Sequence, residues 1–225
     1  MKYLIYSIVT SFIFISSSCS KKVSTQPTET IKYLALGDSY TIGEGVQEED
    51  RWPIQLSNNL KAADINLSDV KIIAKTGWTT SDLQNGMENQ NLQPYNLVSL
   101  LIGVNNQYQG LPFDKFTTEF DQLLTTSITI ANDRERVFVV SIPDYGVTPF
   151  GQSNSEKIAN ELDQYNDYMK EKCASEDILF INITEISRTL GDSPEALASD
   201  KLHPSGFQYQ QWVSEIYPKV IELIQ

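Results

Sequence analysis

Five short apolar runs, separated by segments with helical periodicity, restrict this chain to a few architectures. The runs are residues 31–36, 70–74, 97–102, 137–142 and 178–183, each of strand length. Turn-forming residues stop the first four, at or near Gly37, Gly77, Gly103 and Pro143. The run Leu97-Val98-Ser99-Leu100-Leu101-Ile102 is almost continuously apolar, as expected of a central strand covered on both faces. Between the runs, residues 52–63, 113–130 and 155–174 read as helices. Residues 79–91 form a weaker helical segment, opened by Thr80 or Ser81 and diluted by Gly86 and several Asn residues. The last helix is the best defined. Ser205 and Gln208 have capping-box spacing, and an apolar stripe runs from Tyr209 through Trp212, Val213 and Ile216 to Val220 and Ile224. Pro218 lies off that stripe and marks a kink or a division. Strands alternating with helices need crossover connections, so the predicted fold is α/β: a three-layer α/β/α domain around a parallel sheet of about five strands.

At 225 residues the chain suits one substantial core. Its 29 acidic side chains outnumber 17 basic ones, for a net charge of -12, and no basic stripe is present. Nucleic acid is therefore not an expected partner. The N-terminus stands apart. Lys2, an apolar run from Tyr3 to Ile15, and Ser16-Ser17-Ser18 have the form of a secretory signal over residues 1–18, too short to span a bilayer comfortably. Cys19 follows directly, which resembles a bacterial lipoprotein signal, although Ser16 stands where Leu is usual. The expected product is exported and held at the cell envelope, on the periplasmic or outer-membrane side, by lipid on Cys19. Residues 19–30 then form a polar tether, whose flexible part reaches roughly 35 to 40 Å when extended, and residues 31–225 form the folded domain. Only Cys173 and one histidine remain for metal or disulfide chemistry, so neither a zinc site, a disulfide nor any cofactor is expected.

That one histidine, His203, carries most of the chemical information. A serine hydroxyl becomes a useful nucleophile only when a base removes its proton, and His is the usual base near neutral pH. Pro204 biases His203 toward an extended backbone, and Asp200 lies three residues earlier, positioned to orient the imidazole. Either residue alone has an ordinary structural alternative, a packed histidine or a solvated turn aspartate. The serine candidate is Ser39, in Gly37-Asp38-Ser39 at the end of the first strand, where a helix-capping or turn serine is the ordinary alternative. The same tripeptide recurs at Gly191-Asp192-Ser193 with no strand before it, and reads there as a turn. Asn105, after the most buried strand, offers an amide donor for a developing oxyanion, or an Asx turn. Gly77 offers a backbone N–H unobstructed by Cβ, or a plain turn. In an α/β sheet all these positions fall beyond the carboxyl ends of strands, where ligands bind.

The four blocks resemble the SGNH, or GDSL, hydrolase family, from Tyr33-Leu34-Ala35-Leu36-Gly37-Asp38-Ser39 to Asp200-Lys201-Leu202-His203-Pro204. The resemblance implies a flavodoxin-like three-layer fold and a serine esterase. It makes Ser39 the nucleophile, His203 the base and Asp200 its partner, with Ser39 N–H, Gly77 N–H and the Asn105 side chain as oxyanion hole. Asn106 departs from the pattern, which often has Asp there. The implied reaction is hydrolysis of short acyl or acetyl esters of lipid or carbohydrate through an acyl-enzyme, with a small-molecule or polysaccharide ester as partner. A thioesterase, a lysophospholipase and a non-catalytic tethered binding lipoprotein are the alternatives. Trp78, Asn106, Gln107, Tyr108, Pro143 and Tyr145 are near these blocks, as pocket-lining or as packing residues.

Overall fold

The computed structural model describes residue 1 and residues 29–224, apart from residues 89, 91 and 93. The expected signal segment, Cys19 and most of the tether lie outside the described residues. Glu29 and Thr30, on the tether side of the expected boundary at residue 31, are described and are held to the domain. Glu29 accepts a hydrogen bond from Asn96 Nδ2 at 2.7 Å and pairs with Arg136 at 3.2 Å, and Thr30 Oγ1 accepts from Asn66 Nδ2 at 2.7 Å. Side chains typical of a polar linker are bound here through partners far along the chain, which composition does not reveal.

Five parallel strands form one sheet in the order β2-β1-β3-β4-β5: β1 Tyr33–Gly37, β2 Lys71–Ala74, β3 Leu97–Leu101, β4 Val137–Val140 and β5 Leu179–Ile181. β1, β3 and β4 are buried along their whole length, as their unbroken apolar runs require. One polar residue interrupts β3. Ser99 is buried mid-sheet, and its hydroxyl pairs with Tyr33 Oη of β1 at 2.8 Å, which removes the cost of an unsatisfied group.

The predicted helices appear as α2 Trp52–Ala62, α3 Thr80–Glu88, α5 Phe113–Ala131, α6 Ser155–Ser175 and α8 Gly206–Ile224. α2 packs on α8, while α3 and α6 pack on α5. Right-handed crossovers put these two groups on opposite faces of the sheet, giving the three layers. Trp52, Tyr209 and Trp212 fill one side of the core, and Phe116, Phe120 and Tyr165 the other. α8 runs through Pro218 undivided, its buried stripe from Tyr209 to Val220 on the core side. Three short helices have no counterpart in the sequence reading: α1 Ser39–Ile42, α4 Val104–Tyr108 and α7 Thr184–Leu190. α1 and α4 span little more than one turn, too short for a periodic signal. They sit directly after β1 and β3, and they carry the site.

Candidate active site

The strand order sets the location. The chain winds from β1 out to β2, then crosses back over β1 to β3, so the carboxyl ends of β1 and β3 border a topological switch point, where α/β sheets open a crevice. Ser39 stands at the end of β1 and Asn105 after β3. A Cβ on Gly37 would lie 2.4 Å from Leu101 O and 2.2 Å from Thr41 Oγ1, so only glycine lets β1 end this close to β3. Asp38 then caps α1 by accepting the Tyr40 N–H at 3.0 Å, and Ser39 begins the helix at 5% exposure.

His203 arrives from the loop before α8. Ala198 N–H donates to His203 O at 2.8 Å and Ser205 N–H to Ala196 O at 2.9 Å, so the loop is closed on itself. Gln208 N–H donates to Ser205 Oγ at 3.2 Å, the first half of a capping box; Gln208 Nε2 turns instead to Ala196 O at 2.9 Å and ties the helix start to this loop. Inside it, Asp200 Oδ2 accepts from His203 Nδ1 at 2.7 Å, and Asp200 Oδ1 accepts the N–H groups of Leu202 and His203, each at 3.0 Å. Partial burial alone would raise the Asp200 carboxyl, but the bond from His203 and the two backbone bonds outweigh it and hold its pKa below the ordinary value. A carboxylate accepting at Nδ1 fixes the tautomer with Nε2 unprotonated. The Tyr40 ring meets the imidazole edge-on at 5.9 Å and rests in turn on Trp212 at 6.2 Å, so the ring plane is supported by the core.

The remaining side of the crevice is the turn after β2. Gly77 has φ +83°, a left-handed conformation, and nothing lies within 4 Å of where its Cβ would be. Conformation, not space, selects glycine there. Asn105 Nδ2 donates to Trp78 O at 2.9 Å, which uses one amide N–H to hold this turn and leaves the second for the pocket. Asn106, the departure from the family pattern, is fully buried. Its Oδ1 accepts Thr80 N–H at 3.0 Å and its Nδ2 donates to Thr80 Oγ1 at 2.6 Å, while that hydroxyl donates to Glu119 Oε2 at 2.5 Å. An aspartate at 106 has no N–H to give to a hydroxyl already donating to Glu119, so the Asn is matched to its neighbour.

One pocket of about 170 Å³ gathers these parts, lined by Ser39, Tyr40, Thr76, Gly77, Val104, Asn105, Tyr108, Tyr145, Phe150, Leu202 and His203. Ser39, Gly77, Asn105 and His203 thus line one pocket, with Asp200 bound to the far side of the imidazole. Gly191-Asp192-Ser193 lies elsewhere and closes α7 in a turn, Ser193 N–H donating to Leu190 O at 3.2 Å. Tyr108 and Tyr145 line the pocket, whereas Trp78, Asn106, Gln107 and Pro143 do not. Gln107 bonds instead to the Tyr145 hydroxyl at 2.9 Å and to Glu161 at 2.7 Å. Phe150 escaped the sequence reading; an aromatic residue between Pro149 and Gly151, in a loop after a strand end, was the available signal.

Asp38 is unusual. Its side chain is fully buried, Oδ2 has no partner, and desolvation raises its pKa to about 7 against the opposing backbone hydrogen bonds. Above its ordinary value of 3.8 the unfolded chain releases this proton while the folded chain keeps it until about pH 7. The folded state binds more protons over that window, so this group's contribution to stability falls as pH rises, by about 1.4 kcal/mol per unit at most. Asp38→Asn removes the titration. Denaturant melts of variant and parent should diverge between pH 4 and 7 and differ most, in the variant's favour, at pH 8; parallel curves would refute a buried proton at Asp38.

Comparison with known proteins adds the family. The model of the GDSL-like lipase/acylhydrolase family matches residues 35–211, most of the chain. The chain belongs to that family. It is a carboxylic ester hydrolase of the SGNH/GDSL type. No curated protein sequence matches it. Among solved structures, a variant of the acetyl xylan esterase Axe2 from Geobacillus stearothermophilus superposes with a TM-score of 0.68 at 17% identity, covering 84% of this chain and 94% of that one. The lipase Lip_vut3 from a goat rumen metagenome gives 0.66 at 18% identity, covering 84% and 97%. The esterase EstA from Pseudoalteromonas sp., inhibited by monoethylphosphonate, gives 0.61 at 18% identity, covering 85% and 97%. These likenesses establish the shared α/β/α fold.

Proposed function

We propose that this GDSL-family enzyme cleaves short-acyl or acetyl esters of lipid or carbohydrate through a Ser39-His203-Asp200 triad. The 2.7 Å bond from Asp200 to His203 Nδ1, in a loop that brings the imidazole to the pocket of Ser39, carries this reading. His203 Nε2 takes the Ser39 proton as Oγ attacks the ester carbonyl. The N–H groups of Ser39 and Gly77 and the second amide N–H of Asn105 receive the oxyanion. His203 then protonates the leaving alcohol, and the same base activates a water that releases the acid and restores Ser39 Oγ–H. A fluorophosphonate probe tests the nucleophile, because phosphonate attack by a serine needs the same base and the same donors. Covalent label recovered on the Ser39 peptide, together with turnover of p-nitrophenyl esters, is the expected result. Neither label nor turnover in a folded chain would favour a tethered binding protein.

We also place the enzyme at the bacterial envelope through lipid on Cys19. Glu29 sits by the amino end of β1, and the pocket opens beyond the carboxyl end of the same strand. Lipid on Cys19 would keep the domain within a tether's length of the membrane and leave it free to turn. Globomycin, which blocks lipoprotein signal cleavage, should make the precursor accumulate; unchanged processing would overturn the anchor.

A further inference from the structure

Apart from the chain's first residue, the exposed large apolar side chains among the described residues are Tyr108, Phe150 and Phe207, and two of the three stand together at the mouth of the Ser39 pocket. Tyr108 is 57% and Phe150 52% exposed. Their rings lie 5.8 Å apart, and each also meets Tyr145, at 6.2 and 6.3 Å, so the three form one continuous aromatic wall. Exposed apolar surface concentrated at a concave site marks a surface that is covered when ligand binds.

The wall is held in place before any ligand arrives. Asp144, beside Tyr145, accepts from Arg188 Nε at 2.9 Å and from Gly146 N–H at 2.8 Å, and its own N–H donates to Ser187 Oγ at 2.9 Å. The same guanidinium grips Asp163 at 2.7 Å and Glu185 at 3.0 Å. Tyr145 Oη is fixed by Gln107. Behind Phe150, a Cβ on Gly151 would lie 2.3 Å from Tyr145 O, so the turn that presents the ring is packed against the wall's own base. A subsite fixed in this way loses little entropy when it closes on an apolar group.

Its chemistry is narrow. The pocket is lined by no Lys, Arg, Asp or Glu, which leaves no cationic partner for a phosphate or carboxylate on the substrate. Of the other hydroxyls in the lining, that of Thr76 is engaged by Glu44 and that of Tyr145 by Gln107. Its volume of about 170 Å³ also has to take the reacting ester group, since Ser39, Gly77, Asn105 and His203 are in its lining. The leaving alcohol must lie against His203, which protonates it, whereas the wall is built from the segments after β3 and β4.

Resting on the triad reading above, we propose that Tyr108, Tyr145 and Phe150 form the acyl subsite of an enzyme for uncharged esters whose acyl chains are longer than acetyl. Each methylene buried on the wall raises kcat/KM by about 4-fold, so p-nitrophenyl butyrate should exceed the acetate by roughly 15-fold. The test is the butyrate-to-acetate ratio of kcat/KM in the parent, in Tyr108→Ala, in Phe150→Ala and in Phe207→Ala, an exposed aromatic outside the lining. Fluorophosphonate labelling and a thermal melt are taken on each. The ratio should fall at least 5-fold in the two wall variants and hold in Phe207→Ala. A parent that prefers acetate overturns the acyl subsite, as does a ratio that the wall variants leave unmoved. A second series with acetate fixed and the alcohol lengthened supplies a further arm: wall variants that act only there make the wall an alcohol subsite and overturn the proposal. If the triad reading is itself wrong, the parent neither labels at Ser39 nor turns over, a different pattern from labelled, active enzyme with an unchanged ratio.

Discussion

Ser39→Ala should abolish ester hydrolysis and fluorophosphonate labelling while leaving the thermal melt within a degree or two of the parent. The substitution deletes one oxygen from a side chain that is 5% exposed and carries no structural hydrogen bond needed for α1. The helix cap is Asp38 Oδ1 to Tyr40 N–H, and the C-terminal bond is Gly43 N–H to Ser39 O, both untouched by the change. The Ser39 backbone N–H also survives, so the proposed oxyanion donors stay in place. What disappears is the hydroxyl proposed to form the acyl-enzyme. In serine hydrolases loss of the nucleophile costs on the order of 10⁶-fold in kcat, and the remainder comes from the oxyanion hole and binding. Initial rates on p-nitrophenyl butyrate at matched protein concentration, with His203→Ala as companion, measure it. The two single variants and the double should be nearly equal, because base and nucleophile act as one unit. Undiminished turnover in Ser39→Ala would transfer the chemistry to another residue.

Much of this site was legible because its parts lie where strand signals end. The five apolar runs gave the sheet, and the residues three places beyond the first three of them gave Ser39, Gly77 and Asn105. His203 was legible for a different reason, since a lone histidine flanked by Asp200 and Pro204 has few roles to choose from. The short helices α1 and α4 were hidden, because little more than one turn leaves no periodic trace. The side-chain contacts were hidden too. Nothing in Asn106 or Gln107 says that one bonds Thr80 and the other Tyr145, since those partners are 26 and 38 residues away. Phe150 lay in a loop without a pattern, and only the fold brings it against Tyr108. Asp38 looked like part of a motif; burial with an unpartnered oxygen is a property of the packed core around it.

Asp200→Asn should lower kcat by about 10⁴-fold with little change in KM, through the proton on the imidazole and not through the loop. In the parent the two carboxylate oxygens have separate tasks. Oδ1 holds the loop through Leu202 and His203 N–H, and Oδ2 accepts from Nδ1. An asparagine has one oxygen and one amide. If its oxygen keeps the two backbone donors, the NH₂ group faces Nδ1, which must then accept, and the ring proton moves to Nε2. A protonated Nε2 cannot take the proton from Ser39, although substrate still fits and the oxyanion donors are unchanged. Loss of the orienting carboxylate with geometry intact costs a Ser-His-Asp enzyme about this factor. Asp200→Ala separates the two tasks. It removes the loop bonds as well, so it should lose a similar amount of activity and also melt at a lower temperature, while Asp200→Asn melts near the parent. The carboxylate is ionised in the native state at a pKa below its ordinary range, so the stability it supplies is complete above its unfolded pKa and lost as pH falls through the folded one. The gap in melting temperature between parent and Asp200→Ala should therefore shrink in acid. Activity in Asp200→Asn within tenfold of the parent would mean that the 2.7 Å bond orients a histidine that is not the base.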